Sequence, residues 1–166
     1  MNGRPPVWTR LQRRLHWTVA ALLLAQASLG WPMAAAVRRL ERVAGGGGTP
    51  GLGDFLLSTL HTASGVAIGL LVLWRLKLRL ERLTEEAPRR PWPARLVQAV
   101  LYAATLLMVV SGSLYWYAGL SAAAGWHGAG KWLLLVAVAL HLAGALRHWL
   151  ARDGVFQAMS KGSGYR

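Results

Sequence analysis

The sequence predicts an all-α integral membrane protein, a four-helix bundle with both termini on the cytoplasmic side. Three observations predict it. Charged residues fall in blocks between long uncharged stretches, the stretches are long enough to cross a bilayer, and the nine tryptophans lie at or near their ends. The 166 residues are 54% hydrophobic, which excludes a disordered chain. They carry 19 Lys+Arg against 6 Asp+Glu. A soluble nucleic-acid binder would spread such charge over one face of a modestly apolar fold, so no nucleic-acid partner is expected. With no cysteine, disulfides, thiolate catalysis and iron–sulfur clusters are excluded. The length suits a single domain, 1–166.

Leu15 to Val37 contains no Asp, Glu, Lys or Arg over 23 residues, and a span of roughly 15–37 follows. Basic residues before it and Ala34-Ala35-Ala36 near its end give it the outline of a secretory signal. The apolar run is longer than a signal core, so it is read as a retained helix. Gly45 to Gly48 with Thr49-Pro50-Gly51 forms a flexible connection. Phe55 to Trp74 is a second uncharged run, continuing as helix to give a span of 55–78, with an Arg82–Glu86 ion pair beyond it and a break at Pro88. Leu96 to Gly130 is too long for one span. It divides into a third span of 96–119, a turn over the Gly-Leu-Ser and Gly-Trp-His-Gly stretch, and a fourth span of 126–150.

Fifteen of the Lys and Arg residues fall at the N-terminus, the second connection and the C-terminal end, and four on the other side. The richer side is cytoplasmic. The net charge of +13 is therefore mostly topology.

All five histidines lie in or at the ends of these spans, where the bilayer cannot solvate an ionisable ring. His127 and His141 are 14 residues apart, four turns and about 21 Å along one helix face. By depth, His61 meets His127 at the outer side. His16 meets His141 or His148 at the inner side. Facing imidazoles from different helices, with no carboxylate or thiolate inside the spans, fit the axial positions of haem iron better than a zinc site. Pairing through His148 would put two irons about 31 Å apart, too far for fast tunnelling, so His141 is chosen. His148 is then left near the inner surface, where it serves a quinone headgroup and its protons or is an ordinary interfacial histidine. Gly30, 14 residues after His16, and Gly65, four after His61, give room to a flat macrocycle or simply pack helices tightly. Arg75 and Lys131 stand at the right depths to pair with haem propionates, or else anchor and snorkel at the two surfaces.

The segments "RLQRRLHW", "LHTASGVAIGLLVLWRLKLRL", "LVQAVLYAATLLMVVSG" and "WHGAGKWLLLVAVALHLAGALRHWLARDGV" resemble the bacterial cytochrome b561 family, and the resemblance covers nearly the whole chain. The last segment is the most specific, with histidines at intervals of 14 and 7 before Arg-Asp-Gly. The resemblance implies two haem b groups, His16 and His141 holding the inner iron and His61 and His127 the outer. Two positions depart from the family pattern. Gln98 stands where a histidine is frequent, and Val109 where proline is common.

The family implies electron transfer between the outer face and membrane quinone. In a superoxide oxidase-like branch, electrons pass from periplasmic superoxide to ubiquinone. Arg38, Arg39, Arg42 and Lys131 would draw a small anionic donor to the outer face. The expected protein is thus a multi-pass oxidoreductase of the bacterial inner membrane, with haem, lipid, quinone and superoxide or a periplasmic redox protein as partners. The alternative is a haem b anchor subunit carrying electrons for a hydrogenase or dehydrogenase.

Overall fold

In the computed structural model, residues 8–81 and 91–162 are described. The Arg82–Glu86 pair and the Pro88 break lie outside them. Four long apolar helices, each able to cross a bilayer, account for most of the chain: α1 (Arg10–Ala44), α2 (Leu52–Glu81), α3 (Trp92–Ala118) and α4 (Ala122–Ala151). A short α5 (Val155–Ser160) follows. No strand occurs among the described residues.

Each helix end has a local cause. Thr9 and Gln12 form a reciprocal capping box that opens α1. Pro32 lies inside α1 without ending it. Pro91 precedes α3, where its missing N–H costs nothing. Gly119, at φ +66°, closes α3 in a left-handed cap, and the N–H of Leu120 returns to the Leu114 carbonyl at 3.1 Å.

The connection from α3 to α4 is shorter than the sequence predicts. Gly125 to Gly128 is helical, and only Gly119 to Ser121 turns. Glycine costs a helix stability in water, but in a membrane an unbonded backbone costs more, so the helix continues through both glycines. That continuation sets His127 in helical register with His141. The sequence also gave no sign of α5. It is created by two left-handed residues, Arg152 at φ 50° and Gly154 at φ 82°, which turn the chain back across the end of the bundle.

Packing runs in chain order. α1 lies against α2, α2 against α3 and α3 against α4, whereas α4 makes no extensive contact with α1 or α2. Val19, Ile68 and Val72 form a small core, with Leu22, Leu23, Leu71, Tyr102 and Leu106 around it. On α2, a Cβ at Gly69 would lie 2.8 Å from a methyl carbon of Val109, so this glycine admits the α3 side chain. Large apolar side chains such as Leu24, Leu70 and Leu135 are exposed, as they are where lipid is the solvent.

Candidate functional site

The site is built across the side of the bundle where packing is sparse. α4 presents His127 and His141 on one face, and α1 and α2 each present one histidine opposite. The rings of His16 and His141 have centres 6.0 Å apart, with planes at 69°. Those of His61 and His127 are 6.4 Å apart at 73°. Two imidazoles that share a metal ion, each nitrogen about 2 Å from it, have ring centres about 6 Å apart. Among the described residues no group of three or more His, Asp, Glu or Cys gathers anywhere. Two donors alone suit haem iron, whose other four positions belong to the macrocycle, better than a tetrahedral zinc.

The neighbours of the rings fix their orientation. His127 Nδ1 lies 3.0 Å from the Met108 carbonyl and donates to it, which leaves the Nε2 lone pair for a metal. Ser111 Oγ stands 3.4 Å from the same nitrogen. A Cβ at Gly112 would fall 3.0 Å from His127 Cε1, so α3 gives that ring its seat through glycine. Gly30 does the same on α1, where a Cβ would fall 3.3 Å from His61 Cε1. Gly65 faces a side chain instead, with its Cβ position 3.2 Å from Gln26 Nε2.

Gln26 ties α1 to α2 beside the His61–His127 pair. Its amide donates to the His61 carbonyl at 2.9 Å and lies 3.4 Å from His61 Nε2, while its oxygen accepts from Ser64 Oγ at 2.6 Å. His61 Nδ1 is buried without a hydrogen bond among the described residues. At the other depth, the Arg75 guanidinium donates to His16 Nδ1 at 2.9 Å. Lys131 lies over the Trp132 ring at 5.0 Å. His148 Nδ1 is 2.5 Å from Asp153 Oδ2, and the other carboxylate oxygen accepts from Val155 N at 3.1 Å. His148 is thus tied to the turn that launches α5. The hydrogen bond from His148, above all, holds the Asp153 carboxyl below the usual carboxylate range.

At the opposite end, Arg39 grips Asp54 through two hydrogen bonds of 2.7 and 2.6 Å, joining the end of α1 to the start of α2. An open cleft of about 680 Å³ lies beside this pair, with Arg42 and Gly45 to Gly47 on its wall. Asp54 pairs with Arg39, and Glu41 accepts from the Tyr115 hydroxyl at 2.8 Å, so two carboxylates offset part of the charge of Arg38, Arg39, Arg42 and Lys131 at this end.

The sequence gave no role to Gly112, Gln26, Asp153 or the Met108 carbonyl. Gln26 had a signal, being an amide near the middle of an apolar span. Gly112 and the Met108 carbonyl depend on which helix faces which, and Asp153 on the left-handed turn after α4.

The sequence profile of the prokaryotic cytochrome b561 family matches residues 7–162. A cytochrome b562 of Cereibacter sphaeroides is 31% identical over 159 residues, covering 94% of this chain and 96% of that protein. No solved structure matches the chain significantly. Paired histidines on four membrane-length helices and a match over nearly the whole sequence lead to one conclusion: the chain belongs to the prokaryotic cytochrome b561 family of bacterial multi-pass membrane proteins that carry electrons on haem b.

Proposed function

We propose that the chain is a single-domain, di-haem b oxidoreductase of the bacterial inner membrane that passes electrons from superoxide at its outer face to ubiquinone. One observation carries the reading. Two separate two-histidine sets lie 14 residues apart along α4, a depth difference of about 21 Å, which suits a wire across most of the hydrocarbon core. The excess of Lys and Arg at the His16 end supports a cytoplasmic location for both termini.

Haem b, when bound, supplies an iron that gains or loses one electron at a time. His16 and His141 would hold the inner group, and His61 and His127 the outer. With His61 and His127 both holding the outer group, superoxide would find no open coordination site, and exchange would be confined to the edge of the group. Gly30 and Gly65 keep side chains away from the outer site. Lys131 at the outer end, and Arg75 at the inner with the guanidinium nitrogens it does not direct at His16, would bind propionates by charge-assisted hydrogen bonds. Arg38, Arg42 and Lys131 attract the superoxide anion.

Two superoxide anions give up one electron each and leave as dioxygen. Ubiquinone takes both electrons and two protons to become ubiquinol, and His148, hydrogen-bonded to Asp153, would pass those protons.

Haem and protein quantified together on the purified chain should give two haem b per chain. His141→Ala should abolish the inner haem and spare the outer, and His127→Ala should do the reverse. Retention of both haems in His16→Ala and His141→Ala would overturn the ligand assignment. The purified chain alone should reduce ubiquinone with superoxide. A fully loaded chain that is active only beside a hydrogenase or dehydrogenase would instead be the haem b anchor of that complex.

A further inference from the structure

We propose that the cleft between the first two turns of α1 and α5 is a binding site for a phosphate group, and that its occupant is the headgroup of an anionic phospholipid. The site does not depend on haem ligation. Its sequence pattern is plain once α5 is in place. Arg10, Arg13, Arg14, Trp17 and Thr18 recur at helical spacing and form one stripe of α1. With Ser160 of α5 they line an open cleft of about 530 Å³. The lining holds three guanidiniums, the Thr18 hydroxyl, a Ser160 hydroxyl that already donates to the Phe156 carbonyl and an indole engaged with α5, and among the described residues no carboxylate.

Arginines near a membrane surface are commonly nothing more than a solvated topology signal. Three features set this stripe apart. The chain folds back over it: Trp17 Nε1 donates to the Met159 carbonyl at 3.4 Å and fastens α5 to α1. Gly162 then lies against Arg13, where a Cβ would fall 2.7 Å from Nη1, and its φ of +97° is one that glycine tolerates. Finally, Arg13 Nε is buried and has no hydrogen-bond partner among the described residues. Burying a guanidinium nitrogen unpaired costs free energy that a solvated arginine avoids, and a phosphate oxygen would recover it.

The position selects the occupant. The cleft opens at the start of α1, where the helix dipole favours an anion. Trp17, 48% exposed, stands at the depth where amphipathic rings meet lipid headgroups. Basic pockets between helices at that depth suit phospholipid phosphates, whose acyl chains then continue along the exposed apolar sides of the helices.

Native mass spectrometry of the full chain, released from nanodiscs of mixed phosphatidylglycerol and phosphatidylcholine, tests this. One phosphatidylglycerol per chain is expected to survive release, in preference to phosphatidylcholine. Replacing Arg10, Arg13 and Arg14 by Gln should cut retention about fivefold per guanidinium removed. Replacing Arg95 and Arg147 by Gln removes charge at the same end of the bundle outside the cleft and should leave retention unchanged. Equal loss in both sets, or equal retention of the two lipids, overturns the proposal. Calorimetric titration with inorganic phosphate in detergent separates the sources. Tight phosphate binding that vanishes in the triple variant, without lipid selectivity, would reassign the cleft to a soluble anion and sink the lipid assignment. Should the triple variant lose its helical circular dichroism, the single changes Arg10→Gln and Arg14→Gln at exposed positions carry the same comparison.

Discussion

A methyl group at position 112 would fall 3.0 Å from Cε1 and 3.1 Å from Nδ1 of the His127 ring, closer than ordinary packing allows. Gly112→Ala should therefore swing that ring off its Met108 partner and lower affinity for the outer haem about tenfold, the overpacking cost of 1–3 kcal/mol being of that size. Haem titration followed by difference spectra should show the inner site unchanged; equal weakening of both sites would refute the local cause. Histidine spacing was legible because imidazole in an apolar span is expensive and 14 residues is a whole number of turns. Gly112 was not, because a glycine's value lies in what stands opposite it. Gln26 lies between these cases: its polarity was visible in the sequence, its partners His61 and Ser64 were not.

Between elements, the Arg39–Asp54 clamp is the one ion pair across the α1–α2 connection among the described residues. Arg39 holds the Asp54 carboxyl below the usual carboxylate range, and Asp54 raises Arg39 above its own. A depressed carboxyl stabilises the fold above its unfolded pKa, and the gain is lost as pH falls through the folded value. The wild type should thus melt above Asp54→Asn at neutral pH, with a gap that stays constant down to the usual carboxylate range and closes below it. Melting curves across that range check the sign; a gap that widens on acidification would contradict it. The four long helices were readable from their uncharged lengths. The short α3–α4 turn and α5 were not. The first needs the cost of unbonded backbone in lipid, and the second rests on two left-handed residues, only one of them glycine.

At the scale of the whole molecule, α4 is apolar on every side, so no hydrophobic face announces what it packs against. Hydropathy thus gave the number of spans while leaving their arrangement open, and the histidines alone pointed to α1 and α2 as the neighbours of α4. The direct contacts of α4 run mainly to α3 and α5, and the side toward α1 and α2 is bridged chiefly through the two histidine pairs. A ligand seated there would add stability by mass action. Removing haem should accordingly lower the melting midpoint by on the order of 10 °C while leaving most helix intact. Circular dichroism melting of loaded and depleted protein measures it, and an unchanged midpoint would mean that haem is no part of the bundle's framework.

The placement of both shared histidines on α4 also dictates when each site comes into being. Synthesis proceeds from the N-terminus, so α1 and α2 enter the membrane with His16 and His61 each still lacking a counterpart. A nascent chain halted at Leu120 contains neither pair, whereas one extended past α4 acquires both almost together. On the proposed ligation, loading waits until α4 has been made, and a product truncated before it would leave the ribosome colourless instead of half-filled.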